Sequence, residues 1–261
     1  MSISFYKYHG AGNDFVLIDN RKLTFEADNI SLIAWLCDRR FGVGADGLML
    51  LQECPGFDFK MRYFNSDGRE ASMCGNGGRC IAAFARRLGI TNDKTTFMAV
   101  DGVHEAVFEP DGDISLKMTD VKAVEADGPA YFLNTGSPHY VRFVETLDGL
   151  DVYQEGRAVR YSDRFREQGT NVNFVRQEGD HLTVYTYERG VEDETLACGT
   201  GITASALSAA LRSGWTEGQF RVTAKGGQLA VSFRREGEGF TDIWLKGPAA
   251  FVFEGQTADR E

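Results

Sequence analysis

The chain has 261 residues, 43% of them hydrophobic, and a formal net charge of −10 at neutral pH. That balance argues against holding a nucleic-acid backbone, which needs clustered Lys and Arg, and no run approaches the roughly 20 apolar residues of a membrane span. Five cysteines, an odd number in a chain too long to need disulfide staples, fit a reducing cytoplasm, as does an opening stretch, MSISFYKYHG, without a secretory leader pattern.

Alternating residues predict strands over 3–8 and 14–19, a helix over 29–40, then strands over 47–51 and 57–64. Gly42-Val43-Gly44-Ala45-Asp46-Gly47 matches a dinucleotide fingerprint letter for letter. That fingerprint needs a strand before it and a helix after it, and here the order is reversed, so the segment reads as a turn. The strand over 57–64 leads into Gly68-Arg69-Glu70-Ala71-Ser72-Met73-Cys74-Gly75-Asn76-Gly77, which opens a helix over 77–88. Strands over 95–100, 103–109 and 113–118 follow, and Ala126-Asp127-Gly128-Pro129 reads as a linker.

The second half repeats the plan. Strands over 139–145, 171–176 and 181–187 lead to Glu194-Thr195-Leu196-Ala197-Cys198-Gly199-Thr200-Gly201, which opens a helix over 201–213, and strands over 219–224, 228–235 and 240–246 complete it. In both phrases Glu precedes Cys by four positions and Cys starts a Cys-Gly-x-Gly turn. A weaker echo links Gly12-Asn13-Asp14-Phe15-Val16 to Gly136-Ser137-Pro138-His139-Tyr140-Val141. The chain therefore reads as duplicated, with halves 1–118 and 119–248 carrying Cys74 and Cys198. Strands outnumber helices too heavily for a doubly wound parallel sheet, so the class is α+β.

A cysteine at a helix mouth feels the positive end of the macrodipole and the unpaired amides there. Such thiols ionise at roughly pH 3.5–7.5 instead of about 8.5, and the same amides bind anions. If the two turns face each other, a carboxylate-bearing carbon lies between two sulfurs, one able to remove a proton and the other to return one. The bland account, two small buried residues at tight helix entries, is strained by the repetition of the whole phrase. A reversible disulfide pair is a third reading. Cys37 and Cys80 lie in apolar helical runs and read as core thiols, and Cys54 as a loop bystander. His9, His104, His139 and His181 show no ligand spacing with the cysteines, so no metal is expected. Glu188-Arg189 ends an aromatic strand near the second turn. It reads either as a surface ion pair or as a carboxylate fork.

On these phrases, together with Phe64-Asn65-Ser66-Asp67-Gly68, Cys74-Gly75-Asn76-Gly77-Gly78-Arg79-Cys80, Asn171-Val172-Asn173-Phe174 and Tyr187-Glu188-Arg189-Gly190, the chain resembles the diaminopimelate epimerase family. The resemblance implies two pseudo-symmetric domains, each a mixed β-sheet or barrel curled around a central helix, with a C-terminal strand, about 249–261, able to return to the first. It implies cofactor-independent interconversion of LL- and meso-2,6-diaminopimelate for lysine and peptidoglycan precursor synthesis in the cytoplasm. It makes Cys74 and Cys198 the acid/base pair. Gly75, Asn76, Gly199 and Thr200 hold the reacting carboxylate, and Asn13, Asn65, Asn171, Glu188 and Arg189 recognise the rest. His139 and Glu188 tune the thiols. It leaves a homodimer open and calls for no nucleic acid, membrane, metal or cofactor. Gly47 and Ser137 depart from members that carry Gln and Asn there. A proline or hydroxyproline racemase, a thiol redox or binding protein, and a cysteine hydrolase with one Cys–His pair are the rival readings.

Overall fold

The computed structural model describes residues 2–258. In chain order it runs β1 (Ser4–Gly10), β2 (Asn13–Asp19), α1 (Ile30–Cys37), β3 (Gly47–Gln52), β4 (Phe59–Asn65), β5 (Glu70–Ala71), α2 (Gly75–Arg87), β6 (Lys94–Ala99), β7 (Gly102–Phe108) and β8 (Ile114–Lys117). It continues with β9 (Glu125–Asp127), β10 (Ala130–Asn134), β11 (Pro138–Phe143), α3 (Val152–Arg160), β12 (Asn171–Glu178), β13 (His181–Glu188), β14 (Asp193–Thr195), α4 (Gly199–Ser213), β15 (Glu217–Ala224), β16 (Gly227–Glu236), β17 (Gly239–Gly247) and β18 (Ala250–Gln256). The chain divides into two units, Met1–Leu116 with Pro248–Glu261, and Lys117–Gly247.

The first unit's sheet has the order β18-β1-β2-β3-β4-β6-β7-β8. Its neighbours are antiparallel except for the β2–β3 and β4–β6 pairs, which are parallel. The second unit's sheet, β9-β10-β11-β12-β13-β15-β16-β17, has parallel pairs at the same two places, β11–β12 and β13–β15. The short strands β5 and β14 occupy matching positions on β4 and β13. The expected α+β class with two pseudo-symmetric halves is therefore what forms, each half using eight strands in the matching order. In the first unit the opening strand of the pattern is β18, from the far end of the chain.

Each sheet curls around one helix. Helix α2 packs against β1, β2, β3 and β7, and α4 against β10 to β13 and β15 to β17. Being enclosed, α4 is buried from Gly201 to Ala210, and its sequence is correspondingly small. Its core hydroxyls are satisfied on their own helix: Thr203, Ser205 and Ser208 donate to the carbonyls of Gly199, Gly201 and Ala204. In the first unit α1 covers the other face of the sheet, packing with Val16, Ile18, Leu48 and Leu50. Strand β3 is thus buried on both faces and reads as a continuous apolar run. Each such side chain stabilises the fold by roughly 1.5–3 kcal/mol.

Two local expectations are corrected. The segment expected as a linker, Ala126-Asp127-Gly128-Pro129, is a hairpin, with β9 pairing β10 and Gly128 at φ 58° in its turn. Helix α3 is a helix beyond the three that the sequence predicts, and it contains Gly156. Gly156 is there for space: a Cβ would lie 2.4 Å from Tyr187 Cβ. Gly156→Ala should therefore destabilise the protein by about 1–3 kcal/mol by overpacking, despite alanine's better helix propensity. A urea midpoint equal to or above that of the parent protein would refute this account of α3.

Candidate active site

Helix α2 starts at Gly75 and α4 at Gly199, each two residues before the predicted start. Cys74 and Cys198 are consequently the N-cap residues, both with extended backbones (φ −101°, ψ 144°; φ −105°, ψ 107°). Their carbonyls accept the first helical bonds, from Gly78 N at 2.8 Å and Ile202 N at 2.9 Å. The amides of Gly75 and Asn76, and of Gly199 and Thr200, lie ahead of the i→i−4 ladder, at the electropositive end of each helix. Cys74 is half-buried, and its Sγ accepts from Gly77 N at 3.4 Å. Cys198 is buried, with Thr200 Oγ1 3.5 Å from its sulfur.

Around Cys74, Asn13 is aimed by its neighbours. Asp46 Oδ2 accepts from Asn13 Nδ2 at 2.7 Å, which turns Asn13 Oδ1 toward Cys74 Sγ and Asn76 Nδ2, each 3.5 Å away. The loop is anchored by Asp14, which pairs with Lys7 and Arg39 at 2.6 Å each. Burial pushes the Asp14 carboxyl up, but hydrogen bonds from Arg39 and Lys7 outweigh it and hold the group well below the usual carboxylate range. Buried Asn76 is fixed by Arg79, whose Nη2 donates to Asn76 Oδ1 at 2.8 Å and whose Nε donates to Pro248 O at 3.3 Å. Asn65 lies exposed at the end of β4. Gly47 has no room for a side chain, since a Cβ would lie 2.6 Å from Phe64 O and from the Tyr63 ring.

Around Cys198 the side chains form one connected set. His139, on β11, is completely buried. Its Nδ1 lies 3.1 Å from Asn173 Nδ2, and its Nε2 lies 2.9 Å from Thr200 Oγ1 and 3.0 Å from Ser137 Oγ. Gly201 permits this approach, since a Cβ there would lie 2.3 Å from Asn173 Oδ1. Buried Asn171 accepts from Arg189 N at 2.9 Å and donates to Pro138 O at 2.9 Å and Ser137 Oγ at 3.1 Å. Arg189 is exposed, with Nη1 on Gln168 O at 2.9 Å. Glu188 Oε2 accepts from Thr195 Oγ1 at 2.9 Å.

Asn173, Ser137, Asp46 and Arg79 were absent from the predicted site. The period of two along β12 puts Asn173 on the same face as Asn171 and was the available signal. Cys37 and Cys80 are buried in the core, where burial pushes Cys37 up to about 12 and Cys80 well above the ordinary thiol range. Among the described residues, no three His, Cys, Asp or Glu side chains gather as a metal site, and no helix is long and apolar enough to cross a membrane.

Burial, reinforced by the Arg189 charge, pushes His139 down to about 3 from its ordinary 6.5. The ring is neutral in the folded protein at neutral pH, so it cannot act on a thiolate as a fixed cation. An unfolded histidine takes up its proton near pH 6.5. The stability contributed by the neutral ring is therefore present above that pH and lost as pH falls toward 3. His139→Gln should flatten the acid limb, changing the slope of unfolding free energy between pH 4 and 6 by about 1.4 kcal/mol per pH unit. Equal slopes in urea titrations of the two proteins would contradict the buried, neutral assignment.

The diaminopimelate epimerase family model matches residues 5–124 and 131–252. The chain is 52% identical over 250 residues to a diaminopimelate epimerase of Flavobacterium psychrophilum, covering 95% of this chain and 98% of the relative. It is 42% identical to that of Chlorobaculum tepidum, covering 94% and 98%. In fold it is similar to a Bacillus anthracis phenazine biosynthesis protein of the PhzF family, with a TM-score of 0.75 at 16% identity over 99% and 100% of the two chains. It is also similar to a hydroxyproline epimerase of Agrobacterium vitis, with a TM-score of 0.70 at 15% identity over 98% and 92%. With both halves matched by one family model and relatives aligned over nearly their whole length, the chain belongs to the diaminopimelate epimerase family.

Proposed function

We propose that the chain is a cofactor-independent isomerase that interconverts LL- and meso-2,6-diaminopimelate by two-base chemistry, for lysine and peptidoglycan precursor synthesis in the cytoplasm. The observation that carries the reading is a cysteine at the N-cap of the central helix in each of two topologically matching units, in a chain of this family. An amino-acid α-proton is very weakly acidic, so the carbanion formed on its removal needs electrostatic support. The amides of Gly75, Asn76, Gly199 and Thr200 supply it at the reacting carboxylate, and at the two helix mouths they cost no reorganisation. One cysteine acts as thiolate and takes the proton while the other, as thiol, delivers one. The roles exchange for the reverse reaction, and the two titrations belong to the pair.

Recognition of the distal amino-acid group falls to Asn13, Asn65, Glu188 and Arg189, with Arg189 offering a fork to a carboxylate. Asn171 spends both ends of its amide on Arg189 N, Pro138 O and Ser137 Oγ, so its part is to place Arg189. The test is turnover of LL-diaminopimelate by protein dialysed against chelator, followed by chiral chromatography, with proline in parallel. Formation of meso-diaminopimelate is expected. Inversion only after metal or pyridoxal phosphate is added, or preference for proline, would overturn the reading.

A further inference from the structure

The hydrogen-bond directions around His139 can be read from acceptors that have no alternative. Tyr140 O, which can only accept, lies 3.2 Å from one end of the Asn173 amide. That end must be Nδ2, and the other, Oδ1, accepts from Thr186 Oγ1 at 2.9 Å. The same Nδ2 faces His139 Nδ1 at 3.1 Å, so Nδ1 is the acceptor and the ring proton sits on Nε2. Pro138 O pins Asn171 in the same way, so Asn171 Nδ2 donates to Ser137 Oγ and Ser137 keeps its own proton to give.

His139 Nε2–H faces Thr200 Oγ1 at 2.9 Å and Ser137 Oγ at 3.0 Å, and these two hydroxyl oxygens lie 3.3 Å apart. Asn171 Nδ2, 3.5 Å from the same nitrogen, has both its hydrogens on Pro138 O and Ser137 Oγ, so it does not compete for Nε2. With the His139 Nε2 proton accepted at Thr200 Oγ1, the Thr200 hydroxyl proton is free to be given to Cys198 Sγ, 3.5 Å away. Thr186, Asn173 and His139, which set the tautomer, are buried, and Ser137 and Thr200 are half-buried. We propose that Asn173 is a positioning residue that fixes the His139 tautomer and, through it, aims the Thr200 hydroxyl as a donor to Cys198, favouring the thiolate of that cysteine. The inference rests on the two-base reading for its use in catalysis, but both of its observables belong to the free enzyme.

The neighbouring elements present charges at Arg189 and Glu188 at the end of β13, and at the Glu194–Lys225 pair beside β14 (2.6 Å). A comparison that leaves all of these unchanged is therefore needed. Thr200→Val removes only the hydroxyl, and Thr200→Ser restores it. Iodoacetamide labelling of Cys198 in a Cys74→Ala background, followed by mass spectrometry from pH 5 to 10, reads the thiolate directly. Thr200→Val should slow labelling at pH 7 by about 10-fold while leaving the rate at pH 10 unchanged, the signature of a thiolate population moved by about one pH unit. Thr200→Ser should track the parent.

Nitrogen-15 NMR of histidine-labelled parent protein should show His139 protonated on Nε2, and Asn173→Asp should move the proton to Nδ1. An Nδ1-protonated ring in the parent, or a Thr200→Val labelling profile superposable on the parent's, overturns the proposal. The NMR of the parent decides even if Asn173→Asp does not fold. Absence of epimerase turnover with these results intact would instead remove the functional reading alone.

Discussion

Alanine at Cys74 or at Cys198 should lower kcat for LL-diaminopimelate by about 10³-fold or more, since a positioned general acid or base contributes about 10²–10⁴-fold and inversion needs both. The two losses should be alike in size, because neither helix mouth can substitute for the other. The remaining sulfur still serves the epimer whose α-proton it faces, so each variant should retain slow solvent exchange into one epimer only. Cys54→Ala should be silent. Cys80→Ser places a hydroxyl where the thiol is completely buried, so it should cost about 1–3 kcal/mol of stability and leave the chemistry in place. Steady-state kinetics on the folded variants decide the matter. Full activity in Cys198→Ala would end the two-base model, and a single essential cysteine would favour the hydrolase alternative.

Arg189→Lys should reduce kcat/KM for diaminopimelate by about 10–100-fold, with KM rising more than kcat falls, because the planar two-bond grip on a carboxylate is worth more than a point charge. The structure sharpens this expectation. The Arg189 backbone is held by buried Asn171, and one arm of the fork is already on Gln168 O at 2.9 Å. An ammonium at that site would be drawn to the same carbonyl and could not present the planar two-bond fork to a carboxylate. If Arg189→Lys matches the parent in kcat/KM and proline is the better substrate, Arg189 is a solvated side chain and a proline-type racemase replaces the present reading.

Much of this architecture is visible in the sequence, because the two cysteine phrases are long and the strands they follow alternate cleanly. The helix starts were set two residues late. Gly75 and Gly199 read as turn residues, yet each is the first, buried residue of its helix. Helix α3 carries Gly156, a residue unfavourable inside a helix, whose reason is the proximity of Tyr187, a contact distant in sequence. The buried side of the site was harder still. Asn173, Thr186 and Ser137 are linked to Cys198 by hydrogen bonds through His139 and Thr200, and such a chain of contacts leaves no spacing in the sequence beyond the shared face of Asn171 and Asn173. His139 was expected to tune a thiol. Its complete burial keeps it neutral, so in the proposed relay it would act through an N–H donor in place of a charge.

The most direct test of the central claim is the fate of the α-hydrogen in deuterium oxide. If two different sulfurs remove and return the proton, meso-diaminopimelate formed from LL-substrate at low conversion carries one solvent deuterium at the inverted carbon, while the recovered LL-substrate stays protiated. Product that retains the substrate's own hydrogen, or deuterium entering the LL pool as fast as the product, would mean that a single base serves both faces and would contradict the account.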